Sequence, residues 1–213
     1  MSYAIHKLTY SDGRAFRYHI SDDAGNLRYL AERTGLLLPS PTNLVEFFDP
    51  DHNLSGRLQP PDVAPWRRGT RYKVFVGEGE AEKPHAVIQE TWRLVDVLLL
   101  RLPRYEIQLG AHRYIVQGSR YGGQFYEIFF PWEDEEAAEA VGEDEEEVEA
   151  VEESEELAEA DEEEPEPDKV KVGEIQRPTV GPSYFVEADV APLRQSPLAL
   201  AALVILIDME IHS

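Results

Sequence analysis

One basic stretch of the sequence has the side chains needed to bind a phosphorylated headgroup. A guanidinium group can donate two parallel hydrogen bonds to the oxygens of a phosphate, and an aromatic side chain such as Trp66 suits a membrane interface. The candidate headgroup-binding residues are Arg67, Arg68, Arg71 and Lys73. The same stretch also fits an ordinary strand in which Arg71 and Lys73 face solvent while Tyr72 and Val74 face the core. We favour the ordinary strand and keep headgroup binding as the alternative.

Residues that could bind a metal or act as nucleophiles form no recognisable motif. No two histidines lie three to five residues apart, and the chain has no cysteine. No Gly-x-Ser-x-Gly sequence is present, and Gly77-Glu78-Gly79 lacks the third glycine and the following helix of a nucleotide-binding loop. The sequence therefore predicts no metal site, no cofactor and no enzymatic activity. A hydrolase or transferase site assembled from distant residues remains the alternative.

All the net charge lies in one segment. The 42 acidic and 20 basic residues give a formal charge of −22, yet 22 of the acids and none of the bases lie between Glu133 and Asp168. The rest of the chain has 42 − 22 = 20 acids against 20 bases and is formally neutral. Neither part is expected to bind nucleic acid, because the folded part lacks excess positive charge and the acidic segment repels phosphate.

This acidic segment, Glu133–Asp168, has too few apolar residues to build a buried face, so we expect it to be a disordered insertion in a loop. Three roles are compatible with it: improving solubility, collecting divalent cations weakly, and binding a basic protein partner. It also argues against placing that side of the molecule on an anionic membrane. A specific calcium site is not expected, because a tract without ordered ligand spacing lacks the geometry of a calcium loop.

The elements around these residues are predicted to be short strands. About twelve runs rich in Val, Ile, Tyr and Phe are bounded by Gly, Pro, Asn or Asp, as in Arg14–Ile20 followed by the turn residues Asp22–Asn26. An open sheet of that size would leave exposed edges, which favours closure into a barrel or a two-sheet sandwich. A barrel with so many strands is too wide for its own side chains to fill.

A C-terminal helix is predicted to fill that space. Leu198–Ile207 is apolar on every side, and Pro197 and Ser196 suit a helix start. Its apolar run is about half as long as a membrane span, so a core helix is favoured over a membrane anchor. A buried strand is the competing interpretation. The three alanines in the run favour a helix instead. We expect the core helix to occupy residues 194–210, with Asp208 marking its return to water.

The order of elements resembles the superfamily of tubby, the phospholipid scramblases and the plant LURP-one-related proteins. The resemblance is carried by the hairpin Tyr18–Asn26, by Tyr126-Glu127-Ile128 after the strand Tyr114–Gly118, and by the apolar ending Leu203–Asp208. It covers nearly the whole chain except the acidic segment. It implies one domain, residues 1–213, built as a twelve-stranded barrel around a central hydrophobic helix.

The resemblance implies two kinds of function. Tubby-like members bind phosphoinositides through basic residues on the barrel, and scramblases are described as moving lipids. The chain departs from the scramblase pattern, because it has no cysteine to palmitoylate and no Pro-rich N-terminal region. We therefore expect a non-enzymatic cytoplasmic binding or scaffold module with a protein partner for the acidic segment. A peripheral protein that binds anionic phospholipid is the alternative. The cytoplasmic expectation rests on Met1–Lys7, which does not have the pattern of a secretion signal.

Overall fold

The computed structural model describes ten parts of the chain, which together hold the strands and helices. They are residues 2–11, 14–33, 44–59, 70–77, 79, 82–91, 104–118, 125–131, 169–178 and 183–211. The acidic segment lies outside the described residues, and so do Arg67 and Arg68.

Twelve antiparallel strands form a single closed barrel in the described part of the chain. The strands are β1 (Ser2–Ser11), β2 (Arg14–Asp22), β3 (Leu27–Arg33), β4 (Val45–Phe48), β5 (Leu54–Gln59), β6 (Arg71–Val76), β7 (Lys83–Thr91), β8 (Arg104–Leu109), β9 (His112–Gly118), β10 (Phe125–Pro131), β11 (Lys169–Gln176) and β12 (Ser183–Ala188). Each strand pairs with the next in sequence, and β12 closes the barrel on β1. The predicted strand count and barrel closure are confirmed.

The two ends of the barrel differ in their connections. At one end, here called the turn end, lie the connections β2–β3, β4–β5, β6–β7 and β8–β9, together with the β10–β11 connection that contains the acidic segment. The opposite end, here called the loop end, carries the six remaining strand connections. Because strands alternate in direction, every second connection must fall at the same end.

Alternation along the strands sorts the side chains into a core face and an outer face. Tyr3 and Ile5 on β1 are buried, whereas His6 between Ile5 and Lys7 is exposed. Tyrosine is prominent among the inward residues, and Tyr105 and Tyr126 place their ring centroids 6.3 Å apart. The tyrosines buried in the core are Tyr3, Tyr18, Tyr72, Tyr105, Tyr114, Tyr126 and Tyr184.

Helix α2, Pro197–Ile211, fills the barrel, and every residue from Leu198 to Met209 is buried. A helix apolar on all sides needs apolar neighbours around its whole circumference, and the surrounding strands provide them here. It enters from the turn end, where β12 finishes, and the carbonyl of Ser196 accepts hydrogen bonds from the amides of Ala199 and Leu200. This arrangement confirms the predicted core helix and excludes the competing strand.

The start of the helix differs from the expected residue 194. A separate short helix, α1 (Ala191–Arg194), comes first, and its Leu193 is buried in the core. The hydroxyl of Tyr3 on β1 donates to the carbonyl of Arg194 at 3.0 Å. The chain therefore turns a corner between α1 and α2, because one apolar side chain and one inward tyrosine anchor it before the long helix begins.

Gly56 on β5 marks a close approach between the helix and the barrel wall. A Cβ atom at this position would lie inside contact distance of the Phe75 carbonyl oxygen and 3.2 Å from Cδ1 of Leu198. Only a residue without a side chain fits between β6 and the first turn of α2. The helix start is thereby seated directly against the strand backbone.

Candidate functional site

The predicted headgroup-binding residues are only partly within the described chain. Arg71 and Lys73 lie on β6 with exposed side chains, while Tyr72 and Val74 between them are buried. This alternation of exposed and buried side chains confirms the strand interpretation of this stretch. No described carboxylate lies within ion-pair distance of Arg71 or Lys73. Arg67 and Arg68 lie outside the described residues, so the structure gives positions for only two of the four candidate headgroup-binding residues.

Two histidines that are distant in sequence are neighbours in the barrel. His6 on β1 and His19 on β2 are register partners, and Nδ1 of His6 lies 2.7 Å from the hydroxyl oxygen of Ser183. Partial burial and the charge of His6 lower the pKa of His19. His52 lies in the β4–β5 turn with a φ of 63°. Within the described residues no group of three or more His, Asp and Glu side chains could hold a metal ion.

The principal polar site is buried around Asp208, near the end of α2. Its side chain is 1% exposed, so the expected return to water at this residue is wrong. The hydroxyl of Tyr18 donates to Oδ2 at 3.0 Å, and the hydroxyl of Tyr184 donates to Oδ1 at 2.7 Å. Nζ of Lys7 forms an ion pair with Oδ1. Three strands thus direct donors at one carboxylate, and we call Lys7, Tyr18, Tyr184 and Asp208 the Asp208 cluster.

Lys7 reaches the cluster because it occupies an inward position of β1. The inward series of that strand is Tyr3, Ile5 and Lys7, and Lys7 is the register partner of the inward Tyr18. Its Nζ also lies 5.4 Å from the ring centroid of Tyr184, a distance typical of cation–π contact. The ammonium group is therefore held between a carboxylate and an aromatic face, which suits a buried cation.

The helix dipole explains why a cation is needed here. The C-terminal end of a helix carries partial negative charge, which disfavours an acid in the last turn. Asp208 lies in that turn, and α2 itself has no basic residue there. Lys7 supplies the missing positive charge from the neighbouring strand. The ion pair therefore relieves both the buried carboxylate and the helix terminus.

Both tyrosines of the cluster are strongly affected by their surroundings. Burial raises the pKa of Tyr18 far above its usual value, and the charge and hydrogen bond of Asp208 raise it further. The same three causes, in the same order, raise the pKa of Tyr184. Both phenols therefore remain protonated donors throughout the physiological pH range.

The Asp208 cluster has the chemistry of a structural clamp. Both oxygens of Asp208 accept a tyrosine hydrogen bond and Oδ1 also receives Lys7, so its main acceptor positions are occupied by the protein itself. The cluster lies within the barrel, and each of its members is buried. It ties the last turn of α2 to β1, β2 and β12.

Sequence reasoning missed this cluster, although two signals for it are present. Lys7 interrupts the apolar inward series of β1, and Asp208 directly follows the apolar run of α2. Each is unremarkable alone, since a lysine commonly lies on a strand exterior and an acid commonly ends an apolar run. Only the closure of β12 on β1, over almost the whole chain, brings them together.

Comparisons with known proteins give a structural similarity but no family. No family model matches the chain, and no curated protein matches its sequence. An X-ray structure of a protein from Arabidopsis thaliana has 12% sequence identity and a TM-score of 0.48, covering 97% of this chain and 90% of that one. The barrel architecture is defined by the strand pairing described above. No helix in the described part of the chain is long and apolar enough to cross a membrane.

The first prediction concerns the energetic coupling of Lys7 and Asp208. Replacing either partner alone, as in Lys7→Met or Asp208→Asn, leaves one buried charge uncompensated and should cost about 3–5 kcal/mol of unfolding free energy. The double variant should lose less than the sum of the two single losses. Urea denaturation of the four proteins measures this coupling. Simple additivity of the two losses would show that the pair is not coupled.

The second prediction concerns alkaline stability. Unfolded tyrosines ionise near pH 10 while Tyr18 and Tyr184 stay protonated in the fold, so the unfolded state binds fewer protons and stability falls above about pH 10. Tyr184→Phe should reduce the steepness of that fall by about 1.4 kcal/mol per pH unit. The control Val186→Ala, a buried position on the same strand, should lower stability equally at every pH. Equal slopes for native protein and Tyr184→Phe would contradict this assignment.

Proposed function

We propose that this protein is a non-enzymatic binding or scaffold module of the tubby and LURP-one-related type that acts in the cytoplasm. The observation that carries the proposal is the filled barrel, in which Leu198–Met209 lie buried along the interior. Barrel proteins that take small ligands inside need an open cavity with a few convergent polar groups. Here the interior is occupied by the chain itself, which leaves the outer surface for binding.

The state of the inward polar groups supports a binding role over a catalytic one. Asp208, Lys7 and the two tyrosine hydroxyls satisfy one another and hold the helix in place. A catalytic acid or base must reach a proton of its substrate. Buried groups that are already engaged with each other are better suited to stabilising the fold.

The root of the acidic segment offers a place for a protein partner. Phe130 and Val170 are register partners on β10 and β11, and their side chains are 37% and 48% exposed. They lie at the turn end, beside the residues from which the acidic segment departs. A partner with basic and apolar side chains would find both kinds of contact here, since charge steers encounter and apolar contact adds affinity. Nucleic acid is disfavoured by the same charge.

The third prediction tests this role by affinity capture from native lysate. The native chain should retain a basic protein that is lost when every Asp and Glu of Glu133–Asp168 is replaced by Asn or Gln, because length is kept while charge is removed. A chain with the same segment composition in scrambled order separates specific recognition from general charge attraction. Equal capture by native and neutralised chains would count against a partner for the acidic segment.

A second candidate function is peripheral binding to anionic phospholipid. It is supported by Arg71 and Lys73, which are exposed on β6 next to the uncharged Gln59, Val87 and Gln89 of the neighbouring strands. Guanidinium and ammonium groups placed in this way can contact phosphate oxygens. The 22 acids of the acidic segment oppose approach to an anionic membrane, which is why we rank this function second.

The fourth prediction is that phosphoinositide vesicles sediment little of the native chain, because its formal net charge is −22. Vesicles of neutral phosphatidylcholine serve as the control. Strong binding that weakens with salt and disappears in Arg67→Glu/Arg68→Glu would instead favour the lipid function over the protein-binding one.

A further inference from the structure

Two histidines face each other on the outer surface of the β1–β2 hairpin. His6 and His19 are register partners, and the alternation of each strand places them on the outer face, His6 exposed and His19 half-buried. The Cβ atoms of directly opposed residues in an antiparallel pair lie about 4.5–5.5 Å apart. Two imidazole rings at that spacing can reach a common ion, because a zinc–nitrogen bond to histidine is about 2.0–2.1 Å long.

A hydrogen bond from a third strand orients the ring of His6. Ser183 on β12 is the other register partner of His6, and its Oγ lies 2.7 Å from Nδ1 of the histidine. When Nδ1 carries the proton it donates to this oxygen, and the lone pair of Nε2 is then available to a metal ion. Histidine ligands in metal sites are commonly fixed in this way by a hydrogen bond of the second ring nitrogen. Ser183 therefore favours the form of His6 that a metal requires.

The surroundings of His19 also suit a metal ligand. Partial burial and the charge of His6 lower the pKa of His19, so its ring is uncharged at neutral pH, and metals bind the uncharged ring. Its register partner on β3 is the uncharged Leu30. Arg17, the preceding outward residue of β2, forms an ion pair with Glu32 at 3.0 Å. The positive charge nearest to His19 along its own strand is thereby compensated.

The chemistry of these ligands selects the class of cation. Imidazole nitrogen suits Cu²⁺, Ni²⁺ and Zn²⁺, whereas Mg²⁺ and Ca²⁺ prefer oxygen ligands. The next outward positions beside the histidines are Ala4 on β1, Phe185 on β12 and Ser21 on β2, which carry no charge. In the described part of the chain the site therefore has two strong protein ligands, in keeping with the lack of any group of three or more. The remaining coordination positions fall to water.

We propose that His6 and His19 bind one divalent transition-metal ion of the Cu²⁺, Ni²⁺ and Zn²⁺ class on the outer surface of the barrel, with Ser183 as a positioning residue. The bound ion joins β1 to β2, next to the β1–β12 pairing that closes the barrel. The site goes beyond the proposed function and does not rest on it, because it uses neither the acidic segment nor the barrel interior.

The fifth prediction concerns Cu²⁺ binding to the full-length chain. The titration is made in a large excess of Mg²⁺, which occupies the carboxylates of the acidic segment without competing for imidazole nitrogen. Pulsed electron paramagnetic resonance counts the imidazole rings bound to the ion, and we expect two in the first equivalent. In a separate measurement, Zn²⁺ should raise the unfolding temperature, because the ion is held by the folded hairpin.

Matched variants assign the ligands. His6→Gln and His19→Gln should each reduce the count to one imidazole and weaken Cu²⁺ binding by more than about ten-fold, the lower end of the loss caused by removing an outer hydrogen-bond partner. Ser183→Ala should keep two imidazoles but bind several-fold more weakly, and Ser183→Thr should restore the affinity. The control is His112→Gln, which removes an exposed histidine whose register partner is Leu109, and it should change neither quantity.

The native chain alone can overturn the proposal. A single imidazole in the first equivalent, or an affinity that is the same in His6→Gln and His19→Gln as in the native chain, would show that the two rings do not share an ion. One ion for every two chains, with four imidazoles, would replace the proposed site with one formed between two copies. Unfolding temperatures without metal verify that each variant is folded.

Discussion

A barrel of twelve strands encloses more space than its own inward side chains can fill, and this constraint governs the rest of the structure. The chain meets it with α2, whose residues Leu198–Met209 are all buried. An ordinary amphipathic helix would bring a polar face into that interior, and unpaired polar groups there cost several kcal/mol each. The helix must therefore be apolar on every side, and the strands must provide an apolar wall around its whole circumference.

One exception to that apolar interior lies where the helix reaches the loop end. Asp208 would be unfavourable there twice over, as a buried charge and as an acid at a helix C-terminus. Lys7 and the hydroxyls of Tyr18 and Tyr184, which come from three strands, compensate the charge of Asp208 and satisfy its oxygens. At the other end, Gly56 and the Tyr3 hydrogen bond to Arg194 fix where the helix begins. The helix is thus located at both ends, and its rotation inside the barrel is defined by polar contacts.

Local sequence signals were enough to predict the strands and the helix, because alternation and turn residues act over a few positions. The Tyr72 and Val74 alternation on β6, for example, could be predicted from the sequence and is confirmed. Contacts set by strand register could not be predicted, since register depends on residues far apart in the chain. The pairing of Lys7 with Asp208 belongs to this class. Asp208 was wrongly predicted to be exposed for the same reason, because its partner Lys7 lies about 200 positions earlier in the sequence.

The seam between β1 and β12 has a consequence for how the protein is made. Ser2 pairs with Glu187 and Ile5 with Tyr184, so one edge of β1 has no partner until β12 has been synthesised. The helix that fills the interior is synthesised later still. Contacts of such sequence separation form slowly, and open edges with apolar faces invite aggregation in the meantime. Closure of the barrel is therefore the last strand pairing that the order of elements allows, because β1 must wait for β12.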